Sequence, residues 1–239
     1  MDVSRLLTSE ALEKIDRCLS LRGWGRCDFE GGGFVKFDSP SVIYQLRLDL
    51  IEKGYGIRLN PSLGVRCPTI GDLVSRFIGL PHSGNSYSGL ASVGVSLSDL
   101  KRTELGFVNF ENEWSILRSD NTQEAVRVLS SDVLFAEENF FNKFRGINDV
   151  VEYLERTRCD QFQLRQLAVG QALTGREEAA LMTLGEYFEM VKKEPPLVAD
   201  QARLFITSFS EYFGIEEGGW RTPEPSFPER TPRLPDTCL

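Results

Sequence analysis

The chain has 239 residues, with 35 Asp and Glu against 27 Lys and Arg, a formal net charge of −8 and a single histidine. A composition that is 41% hydrophobic and 26% charged is that of a globular protein, one able to bury roughly 70–75% of its unfolded surface. Lys and Arg form no basic stripe, which argues against a nucleic-acid footprint, and no apolar run approaches the ~20 residues that span a bilayer.

Thr8 and Ser9 are good N-cap types, and Ala11, Leu12, Ile15 and Leu19 form a helical stripe that closes near Gly23. Trp24 is expected to pack where the chain turns back. Phe29 to Asp38 reads as two short strands around Gly31-Gly32-Gly33, and Asp38-Ser39-Pro40 as a turn. From Ser41 to Val65, Tyr44, Leu46, Leu48 and Leu50 alternate with Gln45, Arg47, Asp49 and Ile51. After Glu52-Lys53-Gly54, the residues Tyr55, Ile57 and Leu59 alternate with Gly56, Arg58 and Asn60. A period of two sets an apolar face against a polar one and predicts an antiparallel hairpin at the centre of a half-buried sheet. Pro61 cannot donate to a ladder, so a bulge or an edge position is expected there.

Thr69 is placed to cap a helix carrying Ile70, Leu73, Val74 and Phe77, followed by an exposed loop from Gly79 to Gly89. Ala91, Val93, Val95 and Leu97 resume strand alternation, and Phe107 to Phe110 reads as a short strand before Trp114. Asn121 and Glu124 have capping-box spacing ahead of a helix with Val126, Leu129 and Val133. Phe140, Phe141 and Phe144 form an aromatic cluster, and Val150, Val151 and Leu154 mark a further helix. Beyond Asp160 only helices are expected, carrying the stripes Leu164–Leu167–Ala168, Leu181–Leu184–Phe188–Val191 and Ala202–Phe205–Ile206–Phe209–Phe213. Five prolines then give a tail expected to be disordered. The fold class expected is α+β: an antiparallel sheet packed by an N-terminal helix and later helices over residues 1–159, a helical C-terminal appendage over 160–215, and a Pro-rich tail over 216–239.

The chemistry-bearing residues are sparse. His82 stands beside Ser83 in the Gly- and Ser-rich loop, with no strand–Ser–helix elbow, and is expected to be a solvated loop residue. Gly31-Gly32-Gly33 and Gly54-Tyr55-Gly56 each precede a strand where a phosphate loop needs a helix N-terminus. The pairs Glu111/Glu113, Glu137/Glu138 and Glu216/Glu217 read as solvated faces, and Asp49 as a cross-strand ion-pair partner of Arg47 or Arg58. Cys18, Cys27, Cys67, Cys159 and Cys238 form no C-x-x-C and are expected to be reduced thiols. No catalytic residue, metal site or cofactor is therefore expected. The N-terminus lacks signal-peptide anatomy, so the expected compartment is the cytoplasm.

The run Gly31–Phe37, then Tyr44-Gln45-Leu46-Arg47-Leu48, then Tyr55-Gly56-Ile57-Arg58-Leu59-Asn60, and later Asn139-Phe140-Phe141-Asn142-Lys143-Phe144 with Val150 and Leu154, resembles uncharacterised bacterial α+β domains similar to immunity proteins of polymorphic toxin systems. The resemblance covers residues 8–158 and implies a non-catalytic module that neutralises a basic toxin by direct binding. The other readings are a structural or adaptor subunit of a larger assembly, and an enzyme built from loop carboxylates with Arg47, Arg58 or His82. Candidate partner-binding residues are Gln45, Arg47, Asp49, Arg58, His82, Tyr87, Glu111 and Glu113. The partner expected is another protein, with no nucleic acid and no membrane.

Overall fold

The computed structural model describes residues 3–27, 32–53, 56–80, 90–106, 114–116 and 121–215. In chain order these form α1 (Val3–Ser20), β1 (Gly25–Cys27), β2 (Gly33–Ser39), β3 (Val42–Lys53), β4 (Gly56–Arg66), α2 (Pro68–Phe77), β5 (Val93–Ser96), α3 (Leu97–Leu105), β6 (Ser115–Ile116), α4 (Thr122–Asn139), α5 (Ile147–Arg156), α6 (Gln161–Leu173), α7 (Glu177–Val191) and α8 (Pro196–Phe213). The fold is α+β, with every strand pair antiparallel. No described helix is long and apolar enough to cross a membrane.

The alternation read from the sequence sets the register. β3 and β4 pair without a slip from Ile43↔Arg66 to Lys53↔Gly56. Tyr44, Leu46 and Leu48 thereby share the core face with Val65, Leu63 and Pro61, and Gln45, Arg47 and Asp49 share the opposite face with Gly64, Ser62 and Asn60. The bulge or edge position expected at Pro61 is absent: β4 is central and regular. The amides of Leu59 and the carbonyl of Val65 point away from β3, bonding Trp114 O and Ser92 N. By the same parity the nitrogen of Pro61 points to that side too. There β6 pairs with Ile57 and Arg58, β5 pairs with Ser62 to Val65, and Pro61 falls between them, where no ladder bond is lost.

The core face of the sheet is covered by α1 and α4, which pack on each other. Ile15 and Leu19 of α1 and Val126, Leu129 and Val133 of α4 are buried in one cluster with Leu46, Leu48, Ile57 and Leu59. At one margin Phe141 stacks on Tyr44 at 4.8 Å between centroids and meets Trp24 edge-on at 5.5 Å, while Tyr44 Oη donates to Phe144 O. Trp24 does pack there, and its indole N–H donates to Glu137 at 2.7 Å. Lys36 Nζ bonds the same carboxylate at 2.8 Å, so Glu137 ties α4 to β2, contrary to the solvated face expected of it; Glu138 is exposed.

Several local expectations are corrected. The first short strand precedes the glycine run, at Gly25–Cys27. α1 begins at Val3, ahead of Thr8 and Ser9. Cys67, not Thr69, is the N-cap of α2, because Pro68 supplies a first helical residue with its φ already fixed. The strand read through Leu97 ends at Ser96, whose hydroxyl accepts from Asp99 N and starts α3. The capping box proposed at Asn121 is not formed; its side-chain amide donates to Ser115 O, fastening β6. The expected strand over Phe107–Phe110 and the tail 216–239 lie outside the described residues.

The last helices share one continuous hydrophobic cluster with the sheet, extending from Ala11 to Phe209. α6 packs against α2, α5 and α7. Where β4 turns into α2, Ser92 Oγ accepts from Cys67 N at 3.2 Å and donates to Gln166 of α6 at 3.1 Å, all three residues being buried. Burial pushes the Cys67 thiol above its ordinary value of 9.0, and pushes the Tyr44, Tyr153 and Tyr187 phenols and the Cys159 thiol upward too. As pH rises, the unfolded chain gives up these protons first. Their contribution is therefore complete below the unfolded thiol value and is lost as pH climbs through the folded ones. The melting temperature should be flat from pH 7 to about 8.5 and fall steeply above roughly pH 9; a flat profile through pH 10.5 would contradict this burial.

Candidate functional site

The side of the sheet away from α1 and α4 carries two rows of residues across neighbouring strands. One row is Val35–Gln45–Gly64–Gly94 and the next is Gly33–Arg47–Ser62–Ser96. Towards β5 the rows consist of glycine and serine, so the sheet surface is low there. α6 begins over this low ground, with Asp160, Phe162 and Gln163 at its first turn, and the result is a groove of about 470 Å³. Leu90 and Ala91 also line it.

Each wall has a local cause. Gly64 is required because a Cβ there would sit 2.8 Å from the Ala91 Cβ and 3.1 Å from Gln45 Oε1. Gly94 is different: a Cβ would meet only Leu63 O, at an ordinary 3.5 Å, so this strand residue leaves open floor. Asp160 is fixed by a capping box, accepting from Gln163 N at 2.8 Å while Gln163 Oε1 accepts from Asp160 N at 3.0 Å. The box holds the first turn of α6 in place, and Phe162 with it. Leu90 presents an apolar side chain that is 67% exposed.

Of the residues singled out from the sequence, the groove brings together Gln45 and Arg47. Gln45 is buried and Arg47 exposed. Asp49 adjoins them and accepts from Arg47 Nε at 3.1 Å, so the ion pair runs along β3 and not across it. Arg58 lies on the same face but opposite Ile51, and makes no ion pair among the described residues. His82, Tyr87, Glu111 and Glu113 lie outside the described residues. Ser62, Gly94, Ser96, Asp160 and Phe162 were not anticipated. Asp160 had a readable signal in the spacing Asp160-x-x-Gln163, whereas the glycine pair Gly64↔Gly94 emerges only once two strands 30 residues apart are in register.

The arrangement offers main chain at Gly94, a hydroxyl at Ser62, an aromatic wall at Phe162 and a guanidinium at the rim. Its surface pair Arg47–Asp49 has both side chains nearly half exposed and contributes at most about 1 kcal/mol, so either group can exchange partners readily. Such a combination suits contact with another polypeptide. Compared with protein-family models, with the curated proteins and with solved structures, the chain matches none.

Proposed function

We propose that this chain is a protein-binding module and that the groove over Gly94 receives its partner. The observation that carries this reading is a central sheet whose second face bears an exposed Arg47 with half-buried Asp49 and Ser62 beside a glycine-floored trough. The net charge of −8 favours encounter with a basic partner and makes association slower as salt is added. In its most specific form the partner is a basic toxin and this chain its immunity protein, the role implied by the resemblance of residues 8–158.

Gly94→Trp tests the reading by filling the floor without disturbing the strand. Capture from the source cells with wild-type protein, Gly94→Trp and Arg47→Glu in parallel should retain one partner on the wild type alone. With that partner purified, affinity should fall at least about 100-fold for Gly94→Trp and about tenfold for Arg47→Glu, tenfold being 1.4 kcal/mol. A partner held equally by all three proteins would place the interface elsewhere. A genetic neighbourhood without a toxin would remove the immunity form and leave the module.

A further inference from the structure

A second groove, of about 660 Å³, lies between α2, the end of α6 and the end of α8. Leu73, Leu80, Leu173 and Tyr212 supply its apolar lining, and Asp72 and Arg76 its charges. Leu80 is 56% and Tyr212 49% exposed, so two of the large apolar side chains the fold leaves in water meet here.

Asp72 and Arg76 are one turn apart on α2, a spacing at which opposite charges pair. They are instead drawn apart. Asp72 Oδ1 accepts from Nη2 of Arg66 at 2.8 Å, and the Arg76 guanidinium lies over the Tyr212 ring, 5.7 Å from its centroid. Arg66 is 4% exposed, and its Nε and Nη1 have no hydrogen-bond acceptor among the described residues. Asp72 is thus taken up by Arg66, and the positive charge of Arg76 is left unmatched by a carboxylate among the described residues. Position near the end of α2 accounts for a cation there. It does not account for the placing of that cation over a half-exposed ring, nor for a guanidinium with no carboxylate partner among the described residues.

We propose that this groove binds a small apolar carboxylic acid, its carboxylate on Arg76 and its hydrocarbon or aryl body against Leu73, Leu80, Leu173 and Tyr212. The volume is within the range of small-molecule sites, and a guanidinium at the groove with no carboxylate partner among the described residues can offer two parallel N–H···O bonds to a carboxylate. Asp72, already neutralised by Arg66, repels such an anion little. An amine of the same shape would meet Arg76 with the wrong sign. This site is separate from the partner groove and does not depend on it.

The test is titration of the full-length protein with 4-phenylbutyrate, 4-phenylbutan-1-ol and 4-phenylbutylamine, read by calorimetry and by the Tyr212 ring shifts. The acid should bind at least tenfold more tightly than the alcohol, and the amine should bind most weakly. Arg76→Gln should bring the acid down to the level of the alcohol and leave the alcohol unchanged, while Tyr212→Ala should weaken both. Both side chains reach the surface, and an unchanged melting temperature will verify that each variant is folded. Equal binding of acid and alcohol, or acid binding unaffected by Arg76→Gln, would overturn the proposal. So would displacement of the acid by a synthetic peptide of residues 216–239, since the groove would then belong to the chain's own C-terminal residues.

Discussion

Asp132→Ala should lower stability by about 3–5 kcal/mol, the cost of breaking a buried ion pair by removing one member. Asp132 of α4 accepts from Lys101 Nζ at 2.8 Å through one oxygen and from the Trp114 indole N–H at 2.9 Å through the other. The side chains of Lys101 and Asp132 are only 8% and 12% exposed, and the ammonium also lies 5.7 Å from the centre of the Trp114 ring. Three elements, α3, α4 and the start of β6, are joined at this one carboxylate. At roughly 2–4 °C per kcal/mol for a chain of this size, the melting temperature should fall by roughly 6–20 °C. Asp132→Asn keeps an acceptor for Trp114 and should lose less, Lys101→Met leaves the buried carboxylate without its ammonium and should lose about as much as Asp132→Ala, and the double variant Lys101→Met/Asp132→Asn, which removes both charges, should lose least. Urea midpoints with an unchanged slope will report the order. A loss below 1 kcal/mol for Asp132→Ala would mean that water reaches this pair.

The second large effect is expected at Gly170→Val. A Cβ at Gly170 would stand 2.6 Å from Val151 Cγ2 of α5 and 3.1 Å from Ile70 Cδ1 of α2, both side chains having no exposed surface. Neither neighbour has room to withdraw, so α6 must be pushed outward, at a cost of about 3 kcal/mol or more. Gly170→Ala should cost less, because its one methyl is partly offset by a gain in helix propensity of ~1 kcal/mol. Gly146→Ala is the control: nothing lies within 4 Å of its Cβ position and its φ of −165° is open to any residue. Since α6 carries Asp160 and Phe162, Gly170→Val should also weaken partner binding without touching the groove. Wild-type stability in Gly170→Val would show that α6 does not sit against α2 and α5 this closely.

The strand hairpin, α2, α4 and all helices from α5 onward were legible because their apolar periods are long and mutually consistent, as in the stripe Val126–Leu129–Val133. Pro61 misled because its tolerance depends on a gap between two other strands, which no local rule contains. α3 was hidden for the opposite reason: Val93 and Val95 carry alternation straight up to Ser96, and the capping signal Ser96-x-x-Asp99 was overrun by it. At the site, polar alternation revealed Gln45, Arg47 and Asp49, since a half-buried strand must display its odd residues somewhere. The glycine floor, the overhang of α6 and the separation of Asp72 from Arg76 arise from register and helix packing, which join residues far apart in the chain.

The outer side of β4 is closed by two short neighbours arriving from different parts of the chain, with a residue lacking an amide at the seam between them. On that outer side, fraying that begins at the Ile57 end has no continuous ladder to follow into the Val65 end, and β3 alone spans both. Hydrogen exchange should register two separately opening halves, so that a disturbance at Ser115 and Ile116 spares the trough beside Gly94.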